Sequence, residues 1–207
     1  MSERVIVLTK LDLKKKNKES SLLNTAFDFF TTKGFSKTSI TDIASKAGVG
    51  KGTFYLYFKD KYDIRNKLIA RKSAQVMTIA AYALGQHSEI TSFEDKFIFL
   101  IDNIINQLDE NKSLLNFISK NLSWGVFMAA LSASSEQETN FKDECFRLMD
   151  ESERPIRDRE LLLFMIVELV SATCYSVILY SEPCSLDKLK PELYASIRGI
   201  IAQFTDH

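Results

Sequence analysis

The chain carries no proline before Pro155, and four of its 7 glycines (Gly34, Gly48, Gly50 and Gly52) fall within one short stretch. Proline and glycine are the strongest local breakers of regular structure, so a chain that withholds them can run long helices everywhere except at that stretch. Elsewhere apolar residues recur at three- and four-residue steps, the helical period, with no alternating strand pattern and no internal repeat. An all-α fold is expected. At 207 residues and 45% hydrophobic, the chain can bury a sizeable core in one or two domains. The same composition excludes disorder, collagen-like repeats and a disulfide scaffold. Three scattered cysteines (Cys145, Cys174, Cys184) suit a reducing cytoplasm, the expected location. The N-terminal apolar run, residues 5–8, is too short for a signal-peptide core.

A formal net charge of zero hides an asymmetry: residues 1–75 hold 16 Lys+Arg against 7 Asp+Glu, and residues 76–207 hold 11 against 20. A basic front and an acidic back point to a polyanion-binding module joined to something else. Residues 1–17, with Lys14, Lys15 and Lys16, read as a flexible basic arm; a solvated tail is one outcome and a minor-groove contact the other.

The first helix carries Leu22, Leu23, Ala26, Phe27 and Phe30 on one face and stops at Lys33-Gly34, where glycine supplies a left-handed cap. Ser39-Ile40-Thr41-Asp42 reads as a capping box with Asp in place of the usual Glu. It opens a short helix with Ile40, Ile43, Ala44 and Ala47 inward. Gly48-Val49-Gly50 breaks that helix, and residues 51–58 form another. Helix, glycine turn, short helix is the outline of a helix-turn-helix DNA reader. Lys51, Thr53, Tyr55 and Tyr57 would point outward as cation, hydroxyl and phenols, groups that meet phosphates and base edges. Thr38, Ser39 and Thr41 sit at a helix start, where free amides favour a phosphate. A P-loop is excluded, because the glycines follow a helix and lack its spacing.

Thr38-Ser39-Ile40-Thr41-Asp42-Ile43-Ala44, Ala47-Gly48-Val49-Gly50-Lys51-Gly52-Thr53-Phe54-Tyr55-Leu56-Tyr57-Phe58 and Lys61 together resemble the signature of the tetracycline-repressor (TetR) family. The resemblance covers residues 20–65. It implies an all-helical homodimer with an N-terminal three-helix DNA-binding domain and a variable helical ligand-binding and dimerisation domain. On that basis residues 18–62 form the DNA-binding domain and residues 63–207 the second domain, joined through a fourth helix over 60–86. The resemblance makes 51–57 the recognition helix, with Lys51, Gly52, Thr53 and Tyr55 facing the major groove and Tyr57 beside them. It gives phosphate contacts to Thr38, Ser39 and Lys61. Leu56 departs from the pattern, standing where several relatives have a second tyrosine, so no phosphate contact carries over to it.

Beyond the motif, residues 91–94 cap a helix striped with Phe93, Phe97, Leu100, Ile101, Ile104, Ile105 and Leu108. Residues 112–131 and 141–149 give two more, and the last helix is placed after Pro191 as an N1-like residue. Residues 161–180 are almost all apolar and long enough for a bilayer core of about 20 residues. The resemblance instead makes 161–180 and 191–205 the pair that joins two copies in a four-helix interface. Trp124, Phe127 and Met128 are the candidate ligand-lining residues. Glu168 is a lone charge suited to a cationic ligand or to an arginine across the interface. His87 and His207 have no metal-ligand spacing, no nucleophile motif occurs, and neither enzyme activity, cofactor nor metal is expected. The function expected is that of a dimeric regulator, a repressor more often than an activator, on a palindromic operator under a small-molecule effector. The alternative is a ligand-binding or adaptor protein whose basic module meets another polyanion, membrane-associated through 161–180.

Overall fold

The structure, a computed structural model, describes residues 10–119, 125, 128 and 141–205. Among them are nine helices and no strand: α1 Lys10–Thr32, α2 Ile40–Lys46, α3 Lys51–Tyr55, α4 Lys61–Leu84, α5 Phe93–Glu110, α6 Lys112–Ser119, α7 Phe141–Asp150, α8 Arg159–Tyr180 and α9 Leu186–Phe204. The chain divides into two compact units, Met1–Leu68 and Ile69–His207. The division falls inside α4, a few residues beyond the expected limit at 62.

In the first unit, α1 begins earlier than expected. Lys14, Lys15 and Lys16 are exposed residues of its early turns rather than of a loose arm. Lysine is a good helix former, and those turns show no apolar stripe because they have nothing to bury. Gly34 at φ 85° closes the other end, its amide reaching back to the Phe29 carbonyl at 3.2 Å. The capping box of α2 is formed in both directions, Ser39 Oγ accepting from the Asp42 amide and Asp42 Oδ2 from the Ser39 amide, each at 3.0 Å. Gly48 at φ 71° then turns the chain into α3, a conformation costly for any residue with a Cβ. Leu22, Ala26, Ile43, Ala44, Phe54 and Phe58 fill the core between these helices.

The second unit buries the stripe of α5 against α7, α8 and α9. Helix α9 starts at Leu186 behind the N-cap Ser185, so Pro191 lies inside it rather than at its first position. A proline there forfeits one intrahelical hydrogen bond. The first turns are held regardless, because Leu186 and Leu189 pack on the core and Lys190 Nζ donates to Asp102 Oδ1 at 2.7 Å. Tyr194 also donates to that carboxylate. Burial pushes the Asp102 carboxyl up, but these two donors and the lysine charge outweigh it and hold it below the usual range.

Candidate DNA-reading surface and effector cavity

Helix α3 is five residues long, so its orientation is set by what it buries. Phe54 is buried, with its ring 5.4 Å from Phe58 and 5.6 Å from Tyr55. With Phe54 pinned, Lys51 and Gly52 are exposed, Thr53 is half-buried, and Tyr55 is 50% exposed. Gly50 caps α3 without a side chain, so no side-chain oxygen covers the amides at its start. The helix ends at Tyr55. Tyr57 lies in the following turn, half-buried beside Phe58, with its carbonyl accepting from Lys67 Nζ at 3.0 Å. The expected helix over 51–58 thus stops early: the Leu56 and Tyr57 amides bond three residues back, to Thr53 and Phe54, tightening the last turn. Leu56 is 81% exposed, an apolar side chain on the outer surface of this motif.

Two side chains expected to contact phosphate are engaged within the fold. Thr38 is 2% exposed, and its hydroxyl donates to the Gly34 carbonyl at 2.9 Å. Lys61 Nζ donates to the carbonyls of Phe35 at 2.8 Å and Thr38 at 2.9 Å, and sits 4.4 Å from the Phe35 ring centroid. Both groups serve the loop between α1 and α2, whose carbonyls have no helix to pair with. The start of α4 is likewise self-sufficient, the Tyr62 and Asp63 amides donating to Asp60 Oδ1. Ser39 and Thr41 are exposed, but the start of α2 already carries an anion. The Ser39 amide and hydroxyl beside Asp42 hold its carboxyl below the usual range, so it is charged at neutral pH. Lys61→Met should therefore lower the stability of the first unit by about 1.5–3 kcal/mol, the usual loss of charged hydrogen bonds. It should leave the salt dependence of nucleic-acid binding unchanged, whereas a lost phosphate contact would lower the logarithmic slope by about 0.9. Denaturant titration and binding at several salt concentrations separate the two.

Exposed lysines missing from the expected set lie around the motif: Lys37, Lys46, Lys59 and Lys67. The excess of basic residues before position 75 was their signal, although no spacing singled them out.

In the second unit a cavity of about 510 Å³ opens between α4, α5, α6, α7 and α8. Its walls are mainly the α5 stripe and the inner face of α8, with Ser73, Glu168 and Tyr175 among its polar lining. Met128 packs on the core but does not line it, and Trp124 and Phe127 lie outside the described residues. Cys145 and Cys174 also line the cavity, and burial pushes the Cys174 thiol up to about 11, which keeps it protonated and unreactive. Among the described residues no cluster of three His, Cys, Asp or Glu side chains could hold a metal ion.

Residues 22–68 match the model of the bacterial regulatory proteins of the tetR family. An uncharacterized HTH-type transcriptional regulator of Bacillus subtilis, YvdT, is 33% identical over 90 residues, covering 44% of this chain and 43% of that protein. The transposon Tn10 TetC protein of Escherichia coli is 36% identical over 104 residues, covering 48% and 49%. The matched stretch spans about half the length of these curated relatives. A solved TetR transcriptional regulator from Rhodococcus sp. RHA1 superposes with a TM-score of 0.64 at 16% identity, covering 93% of this chain and 100% of that one. At that identity the likeness shows the fold.

Proposed function

We propose that this chain, which belongs to the TetR family of bacterial regulatory proteins by its N-terminal domain, is a DNA-binding transcriptional regulator acting in the cytoplasm. In this reading it binds a palindromic operator as a homodimer, represses transcription, and answers to a small molecule held in the apolar cavity. The observation that carries the reading is the outward face of α3. Lys51 and Tyr55 are exposed on a helix fixed by buried Phe54, behind a turn that only Gly48 makes cheaply.

Gly52 adds a second argument. Glycine inside a helix costs about 0.5–1 kcal/mol relative to alanine, yet a Cβ built there would meet nothing within 4 Å. The fold has no use for a glycine at this position. A surface on which another molecule's backbone must approach closely does.

The dimer rests on α8. That helix is long and apolar enough to cross a membrane, but only 33% of its most apolar window is buried within the chain. Leu161 and Phe164 are exposed along it, and Ala195, Gly199 and Ala202 are exposed on α9. A second copy covers such a face. The effector then needs only a higher affinity for the arrangement whose two recognition helices do not match the operator spacing.

The test is binding to a pool of fragments from the source genome at two salt concentrations. A few palindromic fragments should be selected, and Lys51→Ala/Tyr55→Ala should lose them while keeping its fold. Gly52→Ala should raise the stability of the first unit slightly while weakening operator binding at least tenfold. Even binding of the whole pool that simply collapses in salt would mean phosphate attraction alone and would sink the reading.

A further inference from the structure

We infer that the cavity of the second unit takes a mostly hydrocarbon effector whose cationic group pairs with Glu168 and whose hydrogen-bonding atom meets the buried hydroxyl of Ser73. The inference deepens the effector reading and rests on it for its consequence at DNA. The binding itself does not depend on that reading.

Size comes first. At about 510 Å³ the cavity lies within the range of small-molecule sites, roughly 300–1,000 Å³. Its walls are built from residues such as Met77, Phe97, Leu100, Ile105, Leu163 and Ile166, which offer contact area and no polar partner. The body of an occupant must therefore be apolar, since any polar group facing these walls would lose its water without replacement.

Two polar features then select the ends. Ser73 is 4% exposed, and its Oγ has no hydrogen-bond partner. A buried, unpaired hydroxyl is costly, and alanine would fill the same place on α4 at no such penalty. A helical serine normally relieves the cost by donating to the carbonyl one turn back. Ser73 does not, which leaves a donor and an acceptor on the cavity lining for a ligand atom.

Glu168 is the one charged residue among the described lining residues. It shares a face of α8 with Ser171, Ala172 and Tyr175, spaced at three, four and seven residues, and all four line the cavity. Glu168, Ser171 and Ala172 are exposed and Tyr175 is half-buried, so together they form the rim while Ser73 sits inside. Among the described residues no ion pair engages the Glu168 carboxylate, and it stands on a helix otherwise apolar from Leu161 to Val170. A carboxylate at an apolar mouth attracts a cation and repels a carboxylate ligand.

The experiment uses the full chain without DNA and three probes that differ only in the head group: decyltrimethylammonium, 1-decanol and decanoate, each below its micelle concentration. Calorimetry should rank them in that order. Glu168→Gln should weaken decyltrimethylammonium at least tenfold and leave decanol within twofold, while Ser73→Ala should weaken decanol several-fold. Decanoate binding tightest would overturn the inference, as would an ammonium preference that survives Glu168→Gln, or no binding of any probe. A Glu168→Gln variant that changes the monomer–dimer equilibrium but not probe selectivity would assign the carboxylate to the interface and also overturn it. Repeating the titration with operator DNA separates the two readings. Release of DNA by the ammonium probe supports both, and binding through Glu168 with no effect on DNA leaves the cavity chemistry standing while the effector reading fails.

Discussion

Replacing Phe54 with alanine should cost the N-terminal unit about 3–5 kcal/mol, the usual range for deleting a buried aromatic ring. Phe54 is fully buried and packs edge-on to Tyr55 and obliquely against Phe58, so its removal leaves a cavity that short, glycine-flanked α3 cannot close by shifting. At about 0.05–0.15 kcal/mol per residue, roughly sixty residues hold some 3–9 kcal/mol, so this one change removes a large share or all of the stability. Hydrogen exchange should show the amides of α1, α2 and α3 opening at least a hundredfold more often. Operator binding should fall with them, although Phe54 itself reaches no DNA. Phe54→Leu, which conserves most of the volume, should cost less than about 1.5 kcal/mol and retain binding. If Phe54→Ala leaves exchange unchanged, the core of this unit is not where the structure puts it.

What could be read from residues alone was whatever depended on near neighbours. Ser39 and Asp42 cap each other across three positions, Gly34 and Gly48 take the positive φ that their places demand, and the stripe from Phe93 to Leu108 is buried except for half-buried Ile104 and Leu108. What spacing does not show is burial and the distant partner of a polar group. Thr38 and Lys61 look like phosphate ligands because they are polar groups at helix starts. Their actual partners are the carbonyls of Gly34, Phe35 and Thr38, and for Lys61 these lie 26 and 23 residues away. Pro191 resembles a helix start because the turn before it is held in part by Lys190 donating to Asp102, 88 residues before that lysine. The cavity was illegible for another reason: its lining residues follow the same helical period as ordinary core, so nothing in the pattern distinguishes a wall from a filling. Aromatic content pointed to Trp124 and Phe127, which lie outside the described residues; Glu168 was legible as a lone charge on an apolar helix, whereas the unpaired Ser73 hydroxyl shows only in the fold.

Leu161→Glu/Phe164→Glu should turn a dimer into a monomer. Leu161 is 45% and Phe164 37% exposed in the single chain, so the substitutions should cost folding about 0.5–3 kcal/mol, the ordinary range for a point change, and leave the helices intact. In the proposed dimer the same residues face a second copy, and the interface would have to bury four new carboxylates without partners. Uncompensated buried charges cost several kcal/mol, so the dimer dissociation constant should rise at least a thousandfold, about 4 kcal/mol. Sedimentation at micromolar concentration should show the unsubstituted chain as a dimer and the variant as a monomer with unchanged helicity. Operator binding should drop steeply, because each half-site contact must then be made alone. The same measurement decides what the apolar face of α8 is for. A helix meant for a bilayer would make the unsubstituted chain bind neutral lipid vesicles, and the two glutamates would abolish that. A helix meant for a second copy makes the unsubstituted chain ignore vesicles and sediment as a dimer, and equal sedimentation of both proteins would rule out the α8 interface.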